Sequence, residues 1–591
     1  MHLPILPEIT VSRDLIETFG GYNHNLRIAD GEFYDMKNLT SSYFPLVSPR
    51  KPRGVYCETE NIPVGLIEKD ALCYAMVSNG NLYFVMNGNN YDLGLTTIDK
   101  NTERSLISMG AFVIVMPDKK YINTVNTEDK GNIEAKYESA ENDKVTFELC
   151  KIDGTSYDVD MISPNEPSEG LNNGYVWLDT SVTPNSLKMY SETTGVWSPV
   201  ASTYIKISAP GIGKLFNEGD GVKLSGITIS SLNDLNNTMV IYSKGDDYIT
   251  VIGILTDSYS AEQITPIIVE RLMPEMDFII ESNNRLWGCR YGLNNEGDVV
   301  NELYSCKLGD FKNWNCFQGL STDSYYVSVG SDGQFTGAIT YLGQPLFFKE
   351  NCLHMVYGNY PAEYQVQDTA CRGVQKGSEK SLAMVNEVLY YKSRTGICAF
   401  NGSLPAEISA NLGEVSYNKA VACSHKGKYY ISMCDVSTDN FVLFVYDTEK
   451  ALWHKEDNTR ITAFCSINEE LYFINGTNKI FSMFGSGTKD EKTVEWMAET
   501  GIIGCSTPDK KYLSRLSVRL SMEIGTRVHI YIDYDSSGSW ESVCSITGHK
   551  LNAFTLPIRP RRCDHLRLKI VGNGNAKIYS ISKTLEQGSD I

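Results

Sequence analysis

The chain has 591 residues, of which 42% are hydrophobic and 21% are charged; this length exceeds what a single core supports, so we expect two to four domains. A formal net charge of −19 disfavours tight binding to nucleic-acid phosphates, although DNA can still pass along such a surface without sticking. No apolar run approaches the roughly 18 residues that span a membrane.

Residues 1–54 do not have the pattern of a folded repeat. They are rich in Gly, Asn, Asp and Pro, and include Gly20, Gly21, Asn38, Pro45 and Arg50. This composition is typical of an extended, turn-rich N-terminal arm. The first seven residues have neither a basic nor an apolar region of the kind found in signal peptides.

Residues 55–122 are predicted to form the first part of a β-propeller. Two apolar runs flank the turn Ser78-Asn79-Gly80, which is a strong hairpin signal. A second pair of apolar runs pivots on Gly110 in the same way.

The pattern changes between residues 123 and 270. Shorter alternating strands surround Gly and Asp turns there, including a hairpin that bridges Lys188-Met189-Tyr190 and Val196-Trp197. We interpret this region as a small β-barrel or sandwich inserted into the propeller.

Residues 271–498 are predicted to complete the propeller. A strand signature of paired large apolar residues recurs, with centres about 40 residues apart at Phe347, Tyr390, Tyr429 and Tyr472. That period, with about four strands in each unit, is typical of propeller blades, which bury their faces against one another. We expect six or seven blades.

Residues 499–591 follow a different pattern, in which Leu513–Leu520 and Val528–Tyr534 alternate between apolar and polar residues. Such strands bury one face and expose the other, which predicts a C-terminal β-sandwich. Helical periodicity is nearly absent. The predicted fold class is therefore all-β.

The sequence carries no recognisable catalytic or cofactor motif. P-loop, G-x-S-x-G, H-E-x-x-H and C-x-x-C patterns do not occur, so no cofactor is predicted and we expect a protein that is not an enzyme. The fifteen cysteines occur singly and are interpreted as buried thiols of a protein made in a reducing cytosol.

Isolated polar residues are assigned structural roles. His354 and His425 stand alone in strands and are interpreted as packing or surface residues. The stretch Asp533–Gly538 begins like a calcium loop, but its twelfth position is Cys544 rather than Glu, so we expect a hairpin turn without a metal. Five aspartates could supply a glycosidase pair but are interpreted as turn caps: Asp310, Asp332, Asp368, Asp435 and Asp447.

A series of short motifs follows one order along the second part of the chain: Asn284-Arg285-Leu286-Trp287-Gly288, Leu308-Gly309-Asp310-Phe311, Gly337–Gly343, Leu346–Glu350, Leu353–Gly358, Cys371–Val374, Leu389–Ile397 and Phe400-Asn401-Gly402. The arm precedes them with Gly20, Gly21, Asn38, Pro45 and Arg50. In this order, these stretches resemble bacteriophage tail nozzle or packaged-DNA stabilisation proteins, whose N-terminal segment is similar to the arm. The similarity covers roughly residues 1–120 and 270–485, and departs from the family at the insert and the terminal sandwich.

The resemblance implies a structural protein of the virion tail, made in the host cytoplasm. Copies of the chain would form a ring on the DNA exit path, as a nozzle, tail-tip or head–tail stabilisation component, and would contact other tail proteins. An anionic channel wall would let DNA pass without specific binding. The arm is expected to dock on an adjoining subunit, so that deleting residues 1–50 would abolish assembly and leave the propeller folded.

Two alternatives stay open. A propeller protein could bind or hydrolyse host-surface carbohydrate, with Trp177, Trp197 and Trp540 as candidate residues for stacking on sugar rings. Tyr446-Asp447-Thr448 with Trp453 resembles the outer-strand motif of Kelch proteins, which would make the chain a cytosolic adaptor, but the double glycine of Kelch blades is missing.

Overall fold

A computed structural model describes residues 11–95, 103–255, 260–294, 297–485, 488–489, 491–504, 510–548, 550–559 and 561–587. Regular structure in these residues is almost entirely β. The helical elements described are three short 3-10 turns, at Ser230–Leu235, Glu379–Ser381 and Ala410–Leu412. No helix in this part of the chain is long and apolar enough to span a membrane.

The strands before the insert begin with five in the N-terminal segment and continue into the propeller. They are β1 Val11–Ile16, β2 Gly21–Tyr22, β3 Glu32–Lys37, β4 Leu39–Thr40, β5 Ser48–Pro49, β6 Gly54–Glu58, β7 Pro63–Lys69, β8 Ala71–Ser78, β9 Asn81–Met86, β10 Asn89–Asp92, β11 Ser105–Met109, β12 Phe112–Met116, β13 Lys120–Asn123 and β14 Lys130–Asn132.

The inserted domain contributes the next thirteen strands of the described chain. They are β15 Ala135–Glu138, β16 Val145–Cys150, β17 Met161–Ser163, β18 Val176–Asp179, β19 Ser186–Ser191, β20 Val196–Pro199, β21 Tyr204–Ser208, β22 Gly221–Ser225, β23 Thr238–Val240, β24 Ser243–Lys244, β25 Tyr248–Ile252, β26 Ser260–Gln263 and β27 Ile268–Arg271.

The propeller then resumes. Its strands are β28 Phe278–Ser282, β29 Arg285–Leu293, β30 Val299–Ser305, β31 Tyr325–Ser328, β32 Phe335–Tyr341, β33 Gln344–Lys349, β34 Cys352–Tyr357, β35 Gln365–Ala370, β36 Ala383–Val385, β37 Val388–Lys392, β38 Ile397–Phe400, β39 Ala406–Glu407, β40 Tyr417–His425, β41 Lys428–Asp435, β42 Phe441–Asp447, β43 Leu452–Lys455, β44 Ala463–Ile467, β45 Glu470–Ile474, β46 Lys479–Ser482 and β47 Thr488–Lys489.

The C-terminal strands complete the fold. They are β48 Glu495–Thr500, β49 Lys511–Met522, β50 Arg527–Tyr534, β51 Glu541–Thr547, β52 Lys550–Thr555, β53 Arg562–Cys563, β54 Leu566–Asn573 and β55 Ala576–Gln587.

Seven antiparallel sheets of the propeller type occur in the described residues. Six have four consecutive strands each, which we number as blades 1 (β7–β10), 2 (β11–β14), 3 (β28–β31), 4 (β32–β35), 5 (β36–β39) and 6 (β40–β43); blade 7 comprises β44, β45, β46, β6 and β47. Their innermost strands contact one another in sequence, through the turn Glu379–Ser381 between blades 4 and 5, and β44 returns to β7. The sheets therefore close a ring, and the predicted all-β propeller is confirmed.

The turn chemistry of the sequence explains the hairpins. Asn79 and Gly80 have φ angles of 49° and 85°, and the flanking residues Ser78 and Asn81 pair directly. Two successive positive φ angles are typical of the tight turns that match the twist of antiparallel strands. Asn and Gly adopt this conformation at the lowest cost, so the hairpin predicted at this position forms.

The ring is closed by the N-terminal side of the chain, because β6 pairs antiparallel with β46 in blade 7. In the sequence, β6 stands at the boundary between the predicted arm and the first blade. Its pairing covers a strand edge that would otherwise be open, and an open edge is prone to pair with other chains. Ring closure thus joins segments more than 400 residues apart.

The insert leaves the ring between blades 2 and 3 and has its own core. Two of its sheets, ordered β15-β27-β22-β23 and β24-β25-β21-β16-β26, enclose a cluster of buried apolar side chains that includes Phe147 and Phe216. At its junction with the propeller, Arg271 binds Asp220 at 2.6 Å, and Asn313 of the propeller donates to the same carboxylate at 2.9 Å.

The terminal sandwich differs from the predicted domain division, because the arm is part of it. One sheet has the order β1-β55-β49-β52, and the other has the order β2-β3-β48-β54-β50-β51. Arm side chains such as Phe19, Tyr22 and Phe33 are buried in the same cluster as the C-terminal strands. Since C-terminal strands by themselves would leave apolar surface open, the arm folds back on its own chain.

A buried histidine in blade 6 yields a pH prediction. His454 on β43 is 2% exposed, and neither ring nitrogen has a hydrogen-bond partner within the described structure. Burial and the nearby Lys428 lower its pKa to about 3, against an opposing effect of Asp447. As the pH falls below about 6.5, the unfolded chain therefore takes up a proton that the folded chain cannot.

We expect the stability of blade 6 to fall by about 2 kcal/mol between pH 7 and pH 5 through this residue. The variant His454→Leu should lack that component, because it has no titrating group to bury. Hydrogen exchange of the blade 6 amides at both pH values, corrected for intrinsic rates, measures it. An equal pH dependence in the two proteins would contradict the assignment.

Candidate functional site: an aromatic face on the inserted domain

The third sheet of the insert, β17-β18-β19-β20, has one face on the core and one face outward. Val176, Leu178 and Leu187 point to the insert core. Because side chains alternate along a strand, the neighbours Trp177 and Lys188 point outward. Their backbones are directly paired, and Tyr190 pairs with Trp197 in the same way.

Four aromatic rings cluster on this outward surface, which we call the aromatic face: Tyr175, Trp177, Tyr190 and Trp197. Trp197 is central, with ring centroids 5.9 Å from Tyr175, 5.3 Å from Trp177 and 5.3 Å from Tyr190. The arrangements are edge-on or tilted, as favoured by aromatic quadrupoles. Tyr175, Tyr190 and Trp197 are half-buried.

A polar pair adjoins the rings. Lys188 donates to Asp179 at 2.8 Å and also lies 4.8 Å from the centroid of Trp177. Burial alone would raise the pKa of Asp179, but hydrogen bonds from Lys188 and Ser181 lower it to about 2. The face therefore combines half-buried rings with a fixed ion pair whose two charges neutralise each other.

The predicted stacking tryptophans have three different environments. Trp197 is accessible, but Trp177 is only 3% exposed and donates its indole N–H to the Ser163 carbonyl at 2.9 Å. The prediction for Trp177 therefore needs correction, because its ring is covered and supports Trp197. Trp540 belongs to the terminal sandwich, where Lys569 lies 3.9 Å from its ring centroid.

Sequence reasoning missed the tyrosines and the ion pair of this face. The hairpin around Glu192–Gly195 was visible, and its register places Tyr190 opposite Trp197. That register was the available signal for Tyr190. Placing Tyr175 beside Tyr190 and Trp197 requires the pairing of β18 with β19, and no turn motif in the sequence predicts that pairing.

The glycines proposed at an assembly interface lie in contacts within one chain. A Cβ at Gly21, whose φ is 79°, would approach the Trp453 carbonyl oxygen to 2.4 Å, so the arm backbone packs closely on blade 6. Gly20 is half-buried beside the Glu32 side chain.

The remaining interface candidates are divided between buried and exposed positions. Asn38 is buried and accepts from Arg50 Nε at 2.8 Å, while Arg50 pairs with Glu491 at 2.7 Å. Pro45 is exposed. A subunit-interface role for the five arm residues stays a prediction. All five have contacts within the chain, since the exposed Pro45 also accepts from the Phe19 backbone N–H at 3.0 Å.

His354 lies in a hydrogen-bonded Ser–His–Asp array that the sequence did not reveal. Its Nδ1 is 2.5 Å from Asp368 Oδ1 and its Nε2 is 2.8 Å from Ser331 Oγ. Burial lowers the pKa of His354, against the effect of Asp368. The imidazole is fully buried while the Asp368 side chain is 53% exposed, which reverses the burial of a catalytic triad. We interpret the array as a brace between blade 4 and the loop that enters it.

Other polar candidates cap local turns. Asp310 accepts from the Lys312 backbone N–H, and Asp435 accepts from that of Ser437. Asp533 accepts from Ser537 Oγ at 2.7 Å, as the hairpin interpretation predicts. In the part of the chain that the structure describes, no group of three or more His, Cys, Asp or Glu side chains could hold a metal ion.

Comparisons with known proteins reveal distant structural similarity. No protein-family model matches the chain, and no curated protein matches it. Among solved structures, a glycoside hydrolase is 12% identical over 51% of this chain and 96% of its own, with a TM-score of 0.20. An acylaminoacyl peptidase is 10% identical over 53% and 55%, with a TM-score of 0.23. A mutant of Trypanosoma rangeli sialidase is 7% identical over 90% and 96%, with a TM-score of 0.18. Similarities of this size carry no argument about function.

Proposed function

We propose that the chain is a structural protein of a bacteriophage tail, present as a ring of copies on the DNA exit path. One observation carries the proposal. The two stretches that resemble the tail family are separated by the insert, yet blades 1 and 2 and blades 3 to 7 form one closed ring. The insert and the C-terminal strands, which depart from the family, form sheets outside that ring, and the arm strands β1 to β3 join the sheets of the C-terminal strands.

Charge supports the same role. The formal net charge of −19 gives the surface a sign that repels the phosphate backbone, so a lumen between copies would not retain DNA during ejection. A basic lumen of the same shape would bind the backbone and slow its passage. The proposal therefore requires no specific DNA contact.

The outer edge of blade 3 offers a surface for contact between copies. Leu308, Phe317, Leu320 and Tyr326 are all exposed, and the rings of Phe317 and Tyr326 lie 5.5 Å apart. Clustered exposed apolar side chains mark interaction sites more often than isolated ones do, and aromatic residues dominate interface energetics. We assign this patch to a contact with a second copy of the chain.

The double variant Phe317→Ser with Tyr326→Ser should weaken self-association by at least about tenfold, because both rings lose their buried contact in the assembly. Sedimentation velocity over a range of protein concentrations measures this. Leu404→Ser, which alters an exposed leucine in blade 5, serves as the control. A monomeric wild-type protein, or a double variant that associates like the wild type, would contradict the assignment.

The tail role is tested by immunogold electron microscopy of particles purified from a producing culture, with antibody raised against the full-length chain. Gold at a fixed point on the tail supports the proposal and distinguishes neck from tip. Antibody adsorbed beforehand with purified protein controls for specificity. Particles without label, together with the protein only in the soluble lysate, would refute it.

A further inference from the structure

The aromatic face combines features that suit one chemical class of ligand. Three half-buried rings lie side by side: Tyr190 is on β19, Trp197 is on β20, and Tyr175 immediately precedes β18. Within the described structure, no hydrogen bond is formed by the hydroxyl of Tyr175 or Tyr190 or by the indole N–H of Trp197. Each ring therefore offers an apolar surface and an unused polar atom at its edge.

The polar pair extends the same pattern. Lys188 lies one cross-strand row away from Tyr190 and Trp197 on the same face, and Asp179 lies in the row beyond it. Their mutual ion pair holds both groups in place, and Lys188 retains further N–H donors. A pyranose ring has C–H groups on its faces and hydroxyl groups around its edge. It can therefore stack on an aromatic ring while its hydroxyls reach such a pair.

Charge selects among saccharides. Residues 158–199 contain one lysine and no arginine, against six acidic residues: Asp158, Asp160, Glu166, Glu169, Asp179 and Glu192. The lysine is already neutralised by Asp179. In this segment a sialylated or phosphorylated glycan would meet net negative charge, and the one cation there is already paired, so the segment favours an uncharged sugar chain.

We propose that the aromatic face binds a neutral cell-surface polysaccharide, with a sugar ring stacked on Trp197 and hydroxyl contacts from Tyr175, Tyr190 and Lys188. Trp177 acts as a positioning residue, because it packs under Trp197 and is itself covered. The source of the polysaccharide, a host cell met by a tail, rests on the proposed function. The binding of the sugar does not rest on the proposed function, so an experiment can refute the tail role and leave sugar binding intact, or the reverse.

The test uses the purified full-length chain and isothermal titration calorimetry with maltohexaose, cellohexaose, chitohexaose and, as an anionic probe, sialyllactose. We expect at least one neutral hexasaccharide to bind with a Kd below about 1 mM. Trp197→Ala should weaken this binding at least about tenfold, while Trp197→Phe, which keeps a ring, should recover most of it. Trp540→Ala is the matched control outside the face.

Thermal unfolding shows whether each variant is folded. If Trp197→Ala does not fold, Tyr190→Leu serves as a second variant that removes a ring from the face. Absence of binding by all three neutral hexasaccharides would overturn the proposal, as would binding of sialyllactose alone. Unchanged binding by folded Trp197→Ala, or loss of binding in Trp540→Ala, would overturn it as well. Particles that lack the protein would refute the tail role and leave the sugar-binding result standing.

Discussion

Deletion of residues 1–50 is expected to unfold the C-terminal sandwich, not only to abolish assembly. The deletion removes β1 and β3, which pair with β55 and β48 in the two sandwich sheets, and β2, which pairs with β3. It also removes seven side chains from the shared core: Ile16, Phe19, Tyr22, Phe33, Met36, Leu39 and Val47. At about 1.5–3 kcal/mol for each buried apolar side chain, the loss is about 10–21 kcal/mol, as large as or larger than the roughly 5–15 kcal/mol by which domains are stable.

Native-state hydrogen exchange distinguishes the domains in this experiment. Amides of β50 and β54 should lose protection in the truncated chain, whereas amides of β21 and β25 in the insert should keep it, because no arm strand pairs with them. Leu26→Ser, at a highly exposed arm position, should leave both sets unchanged. Full protection of β50 and β54 after truncation would contradict the shared-core interpretation.

The same result changes how a loss of assembly is interpreted. A truncated chain that fails to enter particles would have lost a domain as well as any intersubunit contact. A subunit interface is better tested by the surface substitutions on blade 3, which leave the core intact.

Replacement of Arg53 by Met is expected to cost about 3–5 kcal/mol of stability. Arg53 is at the end of the arm, and its guanidinium contacts Glu456 at 2.7 Å and Asp457 at 2.9 Å, just after the last strand of blade 6. The Arg53 and Glu456 side chains are less than one tenth exposed. Methionine fills similar space, so the main consequence is that the buried Glu456 carboxylate keeps only its longer contact with Arg50, at 3.8 Å.

The pH dependence of this effect identifies its origin. Burial alone would raise the pKa of Asp457, but Arg53, Thr459 and Arg50 lower it. Burial alone would likewise raise the pKa of Glu491, and Arg50 and Arg53 lower it. Their contribution is therefore present above the usual carboxyl pKa and is lost as the pH falls below about 4. The stability gap between wild type and Arg53→Met should narrow on that acid side.

Urea unfolding at pH 7 and pH 3.5, followed by hydrogen exchange in blades 6 and 7, measures both quantities. The matched control is Arg561→Met, which breaks a surface pair with Glu541 in which both side chains are more than half exposed. This control should lower the free energy of unfolding by at most about 1 kcal/mol. If the difference in unfolding free energy between wild type and Arg53→Met is the same at both pH values, packing and not charge explains the loss of stability.

Local sequence signals were sufficient wherever neighbours in the chain are neighbours in the fold. Asn79 and Gly80 predicted their hairpin because only a few residue types adopt positive φ cheaply. The 40-residue period predicted the blades because each blade is built from consecutive strands. On β49, Leu516, Val518 and Leu520 alternate as expected, and the register shifts between Leu513 and Arg515, which lets both Leu513 and Leu516 face the core.

The aromatic face was predictable in part for the same reason. The turn Glu192–Gly195 sets Tyr190 opposite Trp197, but nothing local to Trp177 distinguishes a covered ring from an accessible one. Its burial arises from Trp197, Lys188 and Ser163 at the end of β17, which meet only in the folded sheet.

By itself, the amino-acid sequence determined the all-β class, the repeated blades, the insert and the alternating terminal strands, because these depend on turn residues and hydrophobic periodicity within short stretches. Only the tertiary structure decided that β6 closes the ring with β46 and that β1 to β3 complete the terminal sandwich. Both pairings join segments more than 400 residues apart, and their strength comes from covering apolar faces and open strand edges, neither of which a local pattern can show.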